Sequence, residues 1–168
     1  MSEEKNIYVE DKDIFEMFFK THGRLNRWRY FKRRVVLGIL LTMLLTLGYR
    51  VLGYEYGQVS TSATIYNAII TLIFIVPTYC LNVRRLQDMN RGKLLAVAYA
   101  ILTAVMAFMD FNVLELYQKD YLSFLILLMA FFSLALSLYF VIAPGTRGKN
   151  RYGASPIPLP AKDDAKGR

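Results

Sequence analysis

Arginines grouped with an acid, asparagines and glycines are a common means of holding phosphate or carboxylate oxygens, and this sequence has three such segments. They are HGRLNRWRYFKRR at 22–34, VRRLQDMNRGK at 83–93 and PGTRGKNRYG at 144–153. Arg24, Arg27, Arg84, Arg85 and Arg151 offer guanidinium forks, Asn90 and Asn150 offer amides, and Asp88 is the one carboxylate in the three segments. Their glycine-rich backbone adds N–H groups suited to an anion. Two readings compete. In the first, the segments build a site for an anionic head group or a phosphoryl group. In the second, which is preferred, the arginines set topology and hold anionic lipid at about 1 kcal/mol each near a membrane surface, while Asp88 ties two loops together.

Other chemistries find little to work with. The chain has one cysteine, Cys80, and one histidine, His22, so an intramolecular disulfide is excluded and a Cys/His metal centre has too few ligands. No catalytic residue, metal ligand or cofactor is expected. Asp88 could serve a head-group enzyme as base or metal ligand, but one carboxylate without a histidine or a second acid makes a thin site, and that reading ranks last. GTRGKN at 145–150 has two residues between its glycines and Asn150 after its lysine, whereas a phosphate loop needs four and a Ser or Thr. It reads as a turn at a helix end. His22 reads as polar surface ahead of a pH sensor, and Cys80 as a small buried residue ahead of a lipidation site.

The elements that position these clusters are membrane spans. Of 168 residues, 55% are hydrophobic and 14% aromatic, too apolar for a typical soluble domain. Crossing a hydrocarbon core about 30 Å thick takes roughly 20 mostly apolar residues, and four spans are expected at 31–53, 62–83, 93–110 and 121–143. Arg34 and Arg50 bracket the uncharged run of the first and snorkel to its interfaces. Pro77 in the second reads as a packing feature. The third is slightly short between Lys93 and Asp110, which leaves a shallow or re-entrant course open. Pro144 and Gly145 end the fourth. No ionisable residue falls in the centre of any span, and this disfavours ion-coupled transport. Ala96, Ala100, Ala104 and Ala107 make a smooth stripe for helix packing, and Asn67, Thr71, Ser133 and Ser137 can hydrogen-bond within or between helices.

Ahead of the spans, DIFEMFFK gathers Ile14, Phe15, Phe18 and Phe19 opposite its charged residues, as a short interfacial amphipathic helix at about 13–22 would. Gly23 is its expected C-cap and Asn26 the N-cap of the next helix. Residues 1–160 read as a single membrane domain and 161–168 as a disordered tail, because alternating Pro156, Pro158 and Pro160 forbid regular helix before a charged end. The N-terminus lacks the features of a cleavable signal, so the first span is expected to act as an uncleaved one. Of the 21 Lys and Arg residues, all but Arg50 and Lys119 flank the spans on one side. The positive-inside rule puts that side and both termini in the cytoplasm. The net charge of +8 then answers to topology and anionic lipid, with no nucleic acid as partner.

The three polar segments, in this order and separated by hydrophobic spans, resemble a bacterial inner-membrane family known as domain of unknown function 805. The resemblance rests on GRLNR at Gly23 to Arg27, RRLQD at Arg84 to Asp88, and NRYG at Asn150 to Gly153 followed by Pro156, and it covers about Phe15 to Pro160. Gln87 stands where the family usually has histidine, and MNRGK replaces a more usual glycine, serine and tryptophan segment. If that histidine does acid–base chemistry in relatives, this chain lacks it. The resemblance implies a bacterial inner membrane and a polar cytoplasmic rim, and supplies no activity.

The expectation is therefore an all-α integral membrane protein with four transmembrane helices, both ends cytoplasmic, preceded by the interfacial helix. It is expected to act as a non-enzymatic module whose rim (Arg24, Arg27, Arg84, Arg85, Asp88, Asn150, Arg151) binds anionic phospholipid or a protein partner. An oligomeric permease or channel subunit, assembled through the alanine stripe, is the alternative.

Overall fold

Backbone N–H and C=O groups cannot go unpaired in hydrocarbon, so long charge-free runs must be helical. The computed structural model describes residues 11–52, 61–109 and 120–156, and within them the runs form helices. These are α1 (Ile14–Phe19), α2 (Arg27–Val51), α3 (Thr61–Asp88), α4 (Leu94–Met109) and α5 (Asp120–Ile142). Among the described residues the only strand-like feature is an isolated bridge between Asn150 and Gly153. The proline-rich tail beyond Pro156, including the tail expected at 161–168, and Glu55, Asp110 and Glu115 lie outside the described residues.

Local chemistry sets the boundaries. α1 starts where the Asp13 carboxylate accepts the N–H of Glu16 at 2.7 Å, a standard N-cap. It stops at Phe19, earlier than expected, with Lys20 already extended; Gly23 is left-handed (φ +89°), but in the following turn and not at the helix end. Asn26 does cap α2, its side chain accepting from the N–H of Arg29 at 2.8 Å. This starts α2 at Arg27, four residues ahead of the expected span. α3 runs five residues past its expected end, so RRLQD is a helix terminus, not a loop. Its close is a Schellman turn: Asn90 takes φ +58°, its N–H bonds Gln87 O at 3.1 Å, and Arg91 N–H bonds Leu86 O at 2.8 Å. Asparagine is the best substitute for glycine at that left-handed position.

α3 is the central element, packed against each of the other four helices. At its basic end lies the best-buried cluster, in which Leu25, Tyr30, Leu81, Leu86, Ala96, Tyr99 and Phe140 meet. The rings of Tyr30 and Tyr99 both stand edge-on to Phe140, at 6.3 and 5.9 Å, a favoured aromatic geometry. Elsewhere the usual order of a soluble protein is inverted. Ile39, Leu47, Ile73, Leu127 and Phe131 are each more than half exposed, a surface suited to lipid or to another apolar partner and not to water. α2, α3 and residues 124–142 of α5 are long and apolar enough to cross a membrane. α4 has 16 residues, about 24 Å at the helical rise, short of the roughly 30 Å core.

Away from the basic end, α2 and α3 are joined through a glycine. Gly48 is buried against the ring of Tyr66, where an added Cβ would overlap the ring, and the Tyr66 hydroxyl donates to Leu44 O at 2.7 Å. Small residues let helices approach this closely in lipid. Gly48→Ala should therefore destabilise the protein by about 1–3 kcal/mol through overpacking, despite alanine's better helix propensity. Adding Tyr66→Leu should recover most of the loss. Thermal midpoints of the detergent-solubilised variants test this, and an unchanged midpoint for Gly48→Ala alone would show that the close approach holds nothing.

Candidate functional site

The last carbonyls of any helix lack internal partners, and a basic residue in the final turn is one way to meet this need. Neither α1 nor α5 has one. The two arginines of RRLQD on α3 supply it to both. Arg85, completely buried, donates from Nε to Phe140 O at 2.8 Å and from Nη2 to Ala143 O at the end of α5. Arg84 extends the other way, with Nη1 3.4 Å from both Glu16 O and Met17 O in α1.

Each buried guanidinium needs a counter-charge. Asp88 serves two: Oδ2 lies 2.7 Å from Arg85 Nη1 and Oδ1 lies 3.1 Å from Arg24 Nε. Arg24 then spends its other nitrogens on the carbonyls of Gly148, Thr146 and Gly153. Gly145 has to be glycine here, because a Cβ would run into the Asp88 carboxylate. Arg84 pairs with Asp11 at 2.9 Å, and Arg33 binds the same carboxylate at 2.7 Å while donating to Met17 O at 3.1 Å. Burial alone would raise the Asp11 carboxyl, but the hydrogen bonds and charges of Arg84 and Arg33 more than reverse this and hold it below 3.8.

The segment after α5 returns the favour to α3. Thr146 bonds Asp88 O through its N–H at 2.8 Å and its hydroxyl at 2.9 Å. Asn150 Nδ2 donates to Gln87 O at 2.9 Å and to the Thr146 hydroxyl at 2.8 Å, and Leu25 N–H reaches Arg84 O at 3.2 Å. α3 and α5 thus close each other's C-termini.

Of the candidate residues, Arg24, Arg84, Arg85, Asp88 and Asn150 come together in this network, facing inward and not as an open rim. Arg27 and Arg151 are exposed, Arg151 donating to Asn90 O at 3.2 Å. Both Asp88 oxygens are engaged, which leaves little for the acid a head-group enzyme would require. Gln87 donates to Thr21 O at 2.9 Å. Cys80 is buried and His22 exposed. In the alanine stripe, Ala96 and Ala107 are buried and Ala100 and Ala104 half-buried. Sequence reasoning missed Asp11, Arg33 and Thr146, whose partners lie on other elements and follow no local spacing.

The fold and this network define a small helical membrane protein whose polar end is locked by an internal lattice of arginines, carboxylates and carbonyls. The chain belongs to the family described as Protein of unknown function (DUF805), whose model matches residues 18–154 and so takes in all three polar segments. Among curated proteins and among solved structures, nothing matches.

Asp88→Asn, which strands two buried guanidiniums, should cost about 3–5 kcal/mol. Gly145→Ala should cost about 1–3 kcal/mol, whereas Gly92→Ala, with open space around it, should be near neutral. Thermal midpoints of the three variants check the ranking. Because the Asp11 carboxyl is held low, its stabilisation is full above the ordinary carboxylate pKa and disappears as pH falls through the depressed folded value. Protease protection of residues 11–20 should therefore be constant from pH 7 to about 5 and drop only below about 4; loss of protection already near pH 6 would contradict the clasp.

Proposed function

We propose that this protein is a non-enzymatic module of a bacterial inner membrane, both termini cytoplasmic, whose basic end binds anionic lipid head groups. The observation that carries this reading is a segregation of charge. Arg24, Arg33, Arg84 and Arg85 are paired with carboxylates, while Arg27, Lys32, Arg91, Lys93, Arg147, Lys149 and Arg151 are exposed at the same end of the bundle. Beside them α1 leaves Ile14 and Phe15 70% exposed or more, with Phe15 stacked on Phe19 at 4.9 Å. Exposed apolar rings next to exposed cations suit an anionic interface, where each Lys or Arg adds about 1 kcal/mol. Head-group binding in this reading rests on the exposed cations, and of the rim arginines chosen on sequence grounds it retains Arg27 and Arg151. The alanine stripe, half-buried or buried within the chain, offers a poor surface for assembling a permease.

A variant with Lys32, Lys93 and Lys149 changed to Gln should insert normally, yet lose most of its enrichment for phosphatidylglycerol over phosphatidylcholine when lipids co-purified in mild detergent are weighed by native mass spectrometry. The wild-type enrichment should also fall with added salt. Equal enrichment in variant and wild type would overturn the reading.

A further inference from the structure

Arg34 differs from the arginines around it. Arg24, Arg33, Arg84 and Arg85 each pair with Asp11 or Asp88, whereas half-buried Arg34 faces no carboxylate among the described residues. Its guanidinium donates from Nη1 to the Thr78 hydroxyl at 2.8 Å and from Nη2 to the Tyr99 hydroxyl at 3.3 Å. One turn away on the same two helices, the Tyr30 hydroxyl donates to Asn82 Oδ1 at 2.8 Å. Two parallel rungs therefore cross from α2 to α3, with Tyr99 of α4 closing the third side.

The seam is rich in donors and short of acceptors. A guanidinium has five N–H groups, and those of Arg34 meet only neutral oxygens among the described residues, the hydroxyls of Thr78, Tyr99 and Tyr30. The Thr78 and Tyr99 hydroxyls accept from Arg34, which leaves their own protons to donate. Asn82 is completely buried and its Nδ2 has no acceptor among the described residues. A fixed positive charge with unspent donors, at a depth where burial makes both costly, fits an oxyanion. The rings that frame it are held in place, since Tyr30 and Tyr99 both pack edge-on to Phe140. Arg34 also directly precedes the uncharged run Val35–Tyr49, the level at which hydrocarbon gives way to lipid phosphates.

We propose that the seam formed by Arg34, Thr78, Asn82 and Tyr99 is a stoichiometric binding site for one phosphate-type oxyanion. This goes beyond the diffuse rim and stands without it, because it rests on a single guanidinium and not on surface charge. The anion comes from a phospholipid head group or from a soluble phosphate ester.

The test uses the full chain in neutral detergent, probed separately with phosphatidylglycerol, phosphatidylcholine and glycerol 3-phosphate, with native mass spectrometry counting bound molecules. One anionic molecule per chain should remain under conditions that strip phosphatidylcholine. Arg34→Lys, which keeps the charge and loses the fork, and Tyr99→Phe, which keeps the ring on Phe140, should each weaken it by about tenfold. The Lys32, Lys93, Lys149 to Gln variant should keep it, which separates this site from the rim. Retention of phosphatidylglycerol alone identifies a lipid site, and retention of glycerol 3-phosphate a soluble ligand. If the wild type holds neither probe, or both single variants hold them as tightly as the wild type, the proposal is overturned.

Discussion

The junction of α3, α5 and the segments before α2 and after α5 depends on one carboxylate held between two buried guanidiniums. Asp88 balances Arg24 and Arg85, and with their charges offset, both can spend their remaining N–H groups on main-chain carbonyls. The energetic weight lies less in ionic attraction, since burying such ions costs about as much as their pairing returns. It lies in what the cations reach once buried. Arg85 closes α5, Arg24 gathers the loop that closes α3, and Arg84, balanced by Asp11, extends to α1. Helix ends that would otherwise be orphaned in a low-dielectric setting become the joints of the structure.

This division separates two roles for positive charge that a residue count merges. Arginines with planar, multidentate donors hold the interior, where several carbonyls and a carboxylate must be met at once. Every lysine assigned to the rim is exposed, as suits a compact hydrated charge on a flexible stem. The outer half of the bundle has a different cement. There Gly48, Ala63, Ala68 and Ala107 are buried among the described residues, and close approach substitutes for polar ties.

The long apolar helices were legible because hydrocarbon imposes a length and an apolarity on any helix that is to cross it. Helix starts were legible where a cap is local, as at Asn26. The α3 terminus was not: Arg84, Arg85 and Asp88 look like a charged loop until residues 144–153 are seen capping them, and nothing local announces a cap some 60 positions away. The same holds for the candidate site. The residue types of RRLQD, GRLNR and NRYG suggest an anion, and the chain uses them on its own carboxylates and carbonyls. Asp11 carried no periodic signal and Arg34 read only as a snorkelling flank, since neither meaning exists without the neighbouring helices.

The bonds from Arg24 to Thr146, Gly148 and Gly153 span 122 to 129 residues. A chain made from its N-terminus must place Arg24, Arg85 and Asp88 at the membrane edge long before the carbonyls they need have been synthesised. Until then the guanidiniums remain hydrated and the end of α3 is open. The segment after α5 is thus a latch, and closing it ties helices made earlier into a single folded unit.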